Sequence, residues 1–277
     1  MKAMIFAAGL GTRLKPLTDT MPKALVPICG QPLLYHVIDK LVKAGYDHIV
    51  VNVHHFPDQI IDFLKAHDFG VRIDVSDERD YLRETGGGIR YAQPLLTDFS
   101  TPPSAPLEMT GEGPLSFRPS EASGEIFRQE PFLVHNVDIV SNLDLKWFRE
   151  QHRAEALATL VVSKRKTQRY FLFDEENRLR GWTNLATGEV RSPYKDIDPE
   201  RCRKLAFSGI HLISPEIFNA FERLQMGDRF SIVDFNLKAC AEYPIYGVVP
   251  PEFTMVDVGK FATLPEAESI CADILNR

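Results

Sequence analysis

The chain predicts a single doubly wound α/β domain, a mainly parallel mixed sheet with helices on both faces. Three observations carry this. Short apolar runs alternate with stretches of helical periodicity, the connections between them are short, and the first apolar run ends in a glycine-rich loop. The 277 residues would allow two domains, at roughly 150 residues each, but α/β folds reach this size as one unit, so one domain over 1–277 is expected.

Residues 4–8 form a short apolar run that stops at Gly9-Leu10-Gly11, the pattern of a buried strand feeding a tight loop. Leu33, Leu34, Val37, Ile38, Leu41 and Val42 then recur at helical spacing, with Gly45 as stop signal. Ile49 to Val53 is a second β-branched run, Gln59 to Lys65 a helix, and Val71 to Val75 a third strand. Phe132 to Val134 and Leu157 to Val162 read as further strands, flanking a helix that carries Leu145, Trp147 and Phe148. Phe261 to Leu275 reads as a final amphipathic stretch, and no appended acyltransferase domain is expected after it. One segment breaks the pattern: of the 32 residues 99–130, 13 are Pro, Gly or Ser. We expect a mobile insertion there, a surface excursion rather than an active-site lid.

Composition narrows the function. With 32 basic and 38 acidic side chains the net charge is −6, which provides no positive field for nucleic acid or an anionic membrane. Cys29, Cys202, Cys240 and Cys271 are scattered without zinc spacing and are expected to be reduced. No signal peptide and no run of 18 apolar residues occurs, so a cytoplasmic protein, monomeric or a small homo-oligomer, is expected. The eight histidines form no His-Glu-x-x-His pattern, and no Gly-x-Ser-x-Gly elbow is present. Hydrolase chemistry has no support.

Gly9-Leu10-Gly11-Thr12-Arg13-Leu14-Lys15-Pro16-Leu17-Thr18, followed by Pro22-Lys23, opens directly after the first strand. Glycines let backbone amides turn toward an anion, and Arg13 and Lys23 add fixed charge for phosphate oxygens, so the loop reads as a triphosphate cradle. A lone Gly-x-Gly is more often a plain turn. Here eight residue types at set positions arise by chance on the order of 10⁻¹⁰ per window. Leu14 stands where a dinucleotide-binding loop needs its third glycine, and the P-loop pattern is absent.

The motif resembles the hallmark of the nucleotidyltransferases that activate sugar-1-phosphates. Arg83-Glu84-Thr85-Gly86-Gly87-Gly88-Ile89, Phe132 to Asp138, Phe207-Ser208-Gly209-Ile210 and Val256-Asp257-Val258-Gly259 follow in that family's order. The resemblance covers nearly the whole chain outside 99–130 and is strongest to the N-acetylmuramate-1-phosphate uridylyltransferase branch. It implies a Rossmann-like nucleotidyltransferase domain. The implied reaction moves a nucleoside monophosphate, from UTP in that branch, to the sugar-1-phosphate with release of pyrophosphate, in the nucleotide-sugar chemistry of peptidoglycan recycling. A mannose-1-phosphate guanylyltransferase, a choline-phosphate cytidylyltransferase and a non-catalytic nucleotide-binding relative are the alternatives. A nicotinamide-dependent protein is disfavoured by Leu14.

Asp138 and Asp257 each sit among Val and Ile residues, where a carboxylate is costly unless a cation compensates it. Each alone reads as a helix or turn cap. The resemblance places both on the family's Mg²⁺ ligands, and magnesium is satisfied by one or two carboxylates plus substrate oxygens. It also implies that Ala8, Gly9, Gly11, Thr12, Arg13, Lys23, Thr85 and Gly86 bind the nucleotide, Arg13 and Lys23 as catalytic groups, and that Asn136, Ser208 and Gly209 bind the sugar. Two departures stand out. The family's Glu-Lys-Pro triplet for the sugar phosphate is missing, with Lys164, Arg165, Lys166 and Arg169 near that region as either a substitute or a solvated face. Val137 stands where the family usually carries glycine.

Overall fold

Strand β1 (Lys2–Phe6) sits at the centre of the parallel half of the main sheet, between β4 (His48–Val53) and β6 (Phe132–Asn136). Between β1 and β4 lie the short hairpin β2 (Pro27–Ile28) and β3 (Gln31–Pro32), then α1 (Leu33–Lys43). The computed structural model describes residues 1–97, 130–259, 261 and 264–275. The insertion expected at 99–130 lies outside the described residues except for Glu130.

After β4 come α2 (Pro57–Ala66), β5 (Arg72–Asp77), α3 (Glu84–Tyr91) and α4 (Gln93–Leu96). Beyond β6 follow β7 (Ile139–Ser141), α5 (Leu145–Glu150), β8 (Ala158–Ser163), β9 (Arg169–Phe173), β10 (Leu179–Asn184), β11 (Glu189–Arg191) and β12 (Arg203–Ile213). The chain ends in α6 (Ile217–Arg223), α7 (Ile232–Ala239), β13 (Ile245–Val248), β14 (Met255–Asp257) and α8 (Leu264–Leu275). Among the described residues the main sheet has ten strands, in the order β11-β10-β9-β12-β6-β1-β4-β5, with β8 and β13 branching from β12. Pairing is parallel across β5-β4-β1-β6 and between β8 and β13, and antiparallel elsewhere.

Side chains alternate across this sheet into two cores, as a period of two requires. Ala3 and Ile5 of β1, with Ile49, Val51 and Val53 of β4, pack under α1, α2, α5 and α8. Met4, Val50 and the Phe132 and Val134 of β6 face the other way, under α3, α4, α6 and α7. Helices on both faces are therefore the consequence of strands that are apolar on both sides.

β1 and β6 are sequence-distant neighbours from which the chain runs in opposite directions along the sheet, from β1 toward β4 and from β6 toward β8 and β12. That is the topological switch point at which open α/β sheets bind ligands, beyond the carboxyl ends of the strands. No described helix is long and apolar enough to cross a membrane.

His135 of β6 and His211 of β12 are buried at neighbouring positions, His135 beside Ile210 and His211 beside Val134. Among the described residues His135 Nε2 and His211 Nδ1 have no hydrogen-bond partner. Burial lowers the His135 pKa to about 4 and that of His211 to about 3. Both folded values lie below the ordinary 6.5, so the unfolded chain binds more protons in between. The stability contributed by the neutral imidazoles is complete above about pH 6.5 and is lost as the pH falls toward 4 and then 3. Urea unfolding between pH 7 and pH 4 should show a loss of about 3 kcal/mol per histidine, and the paired variant His135→Gln, His211→Gln should flatten that slope whatever its baseline stability. An unchanged slope contradicts the assignment.

Candidate active site

The loop after β1 enters the switch point held by a polar bracket. Asn52, at the end of β4, accepts the amides of Ala7 at 2.7 Å and Ala8 at 3.2 Å on its Oδ1, and donates from Nδ2 to Glu78 Oε1 at 2.8 Å. Glu78 is fully buried and also accepts the Arg83 amide at 3.2 Å, which ties the start of α3 to the same bracket. Burial raises the Glu78 pKa against the opposing hydrogen bond from Asn52. Neither residue was singled out from the sequence. The signal was present in Asn52, a polar side chain inside an otherwise apolar β-branched run.

Beyond Ala8 the chain turns freely toward solvent. Among the described residues no protein acceptor takes the amides of Gly9, Leu10 or Gly11, so they remain available to an anion. Gly11 has φ +64, and a Cβ there would come 2.8 Å from Thr18 Cγ2. Thr18 is buried and donates its hydroxyl to the Gly11 carbonyl at 2.9 Å. Thr18, the second threonine of the motif, thus fixes the loop.

A cleft of about 550 Å³ opens over this loop. Ala8, Gly9, Gly11, Thr12, Arg13, Lys23, Thr85, Asn136 and Asp138 line it, as do Leu82, Ser231 and Gly259. Since Asn52 already holds the Ala8 amide, only the Ala8 carbonyl remains as a polar backbone group. Val137 also faces the cleft, and its amide donates to the Phe6 carbonyl at 3.2 Å.

Four sequence-selected residues stand elsewhere: Gly86, Ser208, Gly209 and Asp257, the last of which faces a neighbouring cavity. Gly86 lies beneath the Phe230 ring and gives its amide to the Phe230 carbonyl at 2.9 Å; the Gly87 amide does the same at 3.1 Å. The triple glycine is a packing device: Gly87 lies against the Asp228 carbonyl, and a Cβ on Gly88 would come 2.9 Å from Glu78 Oε1. Thr85 next to it remains in the cleft, its Oγ1 accepting the Ile232 amide at 2.9 Å. Glu84, which lines the cleft and pairs with Arg229, takes φ +61, a strained backbone for a residue with a side chain. Ser208 and Gly209 sit in a bulge of β12 opposite β8, buried behind Asn136 rather than on the cleft wall. Gly209 has φ +72 and touches Asn136, where a Cβ would stand 2.8 Å from Asn136 Nδ2.

The two aspartates meet through β7 and β14, which pair antiparallel with Asp257 opposite Ile139; the Val258 amide donates to the Asp138 carbonyl at 2.9 Å. Asp138 forms an ion pair with Lys23, and both side chains are mostly buried. The compensating cation that the sequence demanded for Asp138 is thus a lysine of the phosphate loop. Asp257 is solvent-accessible on one side but crowded on the other. That crowding, then the charge of Asp138, raises its carboxyl pKa, while Lys23, Arg13 and Arg165 oppose the rise. Gly259 makes room here, since a Cβ would come 2.5 Å from Asp257 Oδ1 and 3.1 Å from Arg13 Nη2.

Glycine-loop amides, two cations and two carboxylates gather at the switch point of a doubly wound sheet, the place where open α/β sheets bind ligands. Residues 2–102 match the sequence model of the nucleotidyl transferase family. The N-acetylmuramate α-1-phosphate uridylyltransferase of Caulobacter vibrioides is 50% identical over 97 residues, 34% of this chain and 40% of that protein. The catalytic subunit β of mannose-1-phosphate guanylyltransferase from Danio rerio is 34% identical over 169 residues, 59% of this chain and 38% of that protein. These alignments span about four-tenths of each relative's length. The inositol-1-phosphate CTP transferase from T. maritima shares the fold with a TM-score of 0.70 and 16% identity, over 99% of this chain and 95% of that one.

The ion pair separates the two aspartates. Asp138→Asn strips the buried Lys23 ammonium of its counter-charge and should destabilise the fold by about 3 kcal/mol. Asp257→Asn relieves a crowded carboxylate beside Asp138, so its melting temperature should stay level or rise. Equal losses in thermal melts would show that the pair is not the structural link. The glycines divide similarly. Gly9→Ala, with nothing within 4 Å of its Cβ, should leave stability unchanged, whereas Gly87→Ala meets backbone and should cost about 1–3 kcal/mol in urea titration.

Proposed function

We propose that this chain transfers a nucleoside monophosphate from a nucleoside triphosphate to a sugar-1-phosphate, releasing pyrophosphate and forming a nucleotide-sugar, with UTP and N-acetylmuramate-1-phosphate as its substrates. The observation that carries this reading is the convergence of the free loop amides, Arg13, Lys23 and Asp138 at the ends of β1 and β6, with Asp257 of β14 linked beside Asp138. The 50% identity to a uridylyltransferase supports the choice of substrates. The longer alignment with a guanylyltransferase favours GTP with mannose-1-phosphate as the second reading. No observation favours choline phosphate. A nucleotide-binding protein without activity would have no need of all four charged side chains.

Loop amides of Gly9 to Gly11 and the Arg13 guanidinium would hold the triphosphate, with the base toward Leu82 and Thr85. The two carboxylates fit a magnesium site: Asp138 already attracts an ammonium, and the charge of Asp138 is felt at Asp257. Among the described residues no group of three or more acidic, His or Cys side chains forms a ready cage, as suits an ion that completes its shell with phosphate oxygens. Asp138 and Asp257 would hold Mg²⁺, which when bound neutralises phosphate charge as a Lewis acid. Lys23 would then exchange its carboxylate partner for phosphate oxygens. Arg13 faces the charge that grows on the departing pyrophosphate, and the transfer needs positioning and charge stabilisation rather than a covalent enzyme intermediate.

Four nucleoside triphosphates tested against N-acetylmuramate-, N-acetylglucosamine- and mannose-1-phosphate and choline phosphate, read by pyrophosphate release, test the proposal. UTP with N-acetylmuramate-1-phosphate should turn over fastest, and Arg13→Ala should lower kcat on the order of 10²–10³-fold with a smaller change in KM for UTP. Faster turnover of GTP with mannose-1-phosphate would install the second reading.

A further inference from the structure

A second cavity of about 480 Å³ adjoins the first. Arg13 and Gly259 line both. Asp138 faces only the first and Asp257 only the second, so the linked pair of carboxylates looks into two compartments. Arg165 and Lys166, on the exposed turn after β8, form a wall of the second, with Glu266 of α8 also at its edge. Arg165 is anchored: its Nη2 donates to the Phe207 carbonyl at 3.0 Å, which leaves the rest of the guanidinium fork unused. Among the described residues none of Arg13, Arg165 and Lys166 forms an ion pair, and the charges of Arg13 and Arg165 reach Asp257. Lys164 and Arg169, the other members of this basic stretch, do not line the cavity.

Three cations, none of them in an ion pair, outnumber the carboxylates of Asp257 and Glu266 around this cavity, and the surplus positive charge suits an anion. A nucleotidyl transfer between two phosphates needs two phosphate sites flanking one reaction centre, and the first cleft holds one of them. We propose that the second cavity receives the phosphate of the acceptor sugar-1-phosphate, and that Arg165 and Lys166 bind it across Arg13 and Gly259 from the triphosphate. This rests on the transferase reading given above. The step balances without a proton. A nonbridging oxygen of the acceptor's dianionic phosphate forms a bond to the α-phosphorus. The bond from that phosphorus to the α,β-bridging oxygen breaks, and its electron pair leaves with pyrophosphate.

Arg165→Ala and Lys166→Ala, both on an exposed turn, should each raise KM for the sugar-1-phosphate about tenfold or more while KM for the triphosphate stays within about twofold. Lys164→Ala, exposed but outside the cavity, should change neither. In the reverse direction, KM for pyrophosphate should be unaffected by Arg165→Ala; a rise there with an unchanged acceptor KM makes this the leaving-group site and overturns the proposal. A calorimetric titration with inorganic phosphate, in the presence of saturating α,β-methylene-UTP, needs no turnover. Wild type and Lys164→Ala should bind phosphate alike, and Arg165→Ala at least tenfold more weakly. Absence of pyrophosphate release with every substrate pair would defeat the transferase reading, while the titration still decides the anion site. No phosphate binding by wild type, or equal binding by Arg165→Ala, overturns it.

Discussion

The ion pair between Lys23 and Asp138 is the contact on which the site depends. Lys23 ends the glycine-loop segment that leaves β1, and Asp138 follows β6, so one charge contact closes the mouth of the switch point between the two central strands. Both side chains are mostly withdrawn from water, and each would be costly without the other. Their attraction holds the loop at the carboxylates before any substrate arrives. On the proposed function it also keeps Lys23 at the place where phosphate charge would be received.

Hydrogen bonds, rather than an ion pair, do the same work on the other side. Asn52 takes the Ala7 and Ala8 amides, Glu78 holds Asn52 and the Arg83 amide, and the glycines of α3 allow that helix to lie against both. The loop between these two fixed points, from Gly9 to Gly11, keeps its amides unused. A cradle whose ends are fixed and whose centre is free is preorganised for an anion, and little ordering remains to be done on binding.

Several features were legible along the chain. The alternation of apolar runs and helical periodicity located β1, α1, β4, α2, β5, β6, α5 and β8, because strands buried on both faces and amphipathic helices carry their period locally. Arg13, Lys23, Thr85, Asn136 and Asp138 were picked out by motif and share one cleft. Strands β9 to β12 were not seen, since an antiparallel region half open to solvent mixes polar and apolar residues: β10 reads Leu-Arg-Gly-Trp-Thr-Asn. The resemblance implied that Thr85 and Gly86 bind the nucleotide, but Gly86 and Gly87 are packed tightly against Phe230 and Asp228, which lie far away in sequence.

By itself the sequence determined the fold class, the position of the glycine loop after the first strand and the residue types able to meet phosphate, because these follow from local periodicity and side-chain chemistry. Only the tertiary structure decided which charges face each other. Asp257 reaches Asp138 through the β7 and β14 ladder, Lys23 neutralises Asp138, and the exposed Arg165 and Lys166 line a second cavity beside Arg13. The physical reason is that Coulomb and hydrogen-bond energies depend on separations of a few ångströms. Residues 119 positions apart along the chain acquire such separations only when strands pair.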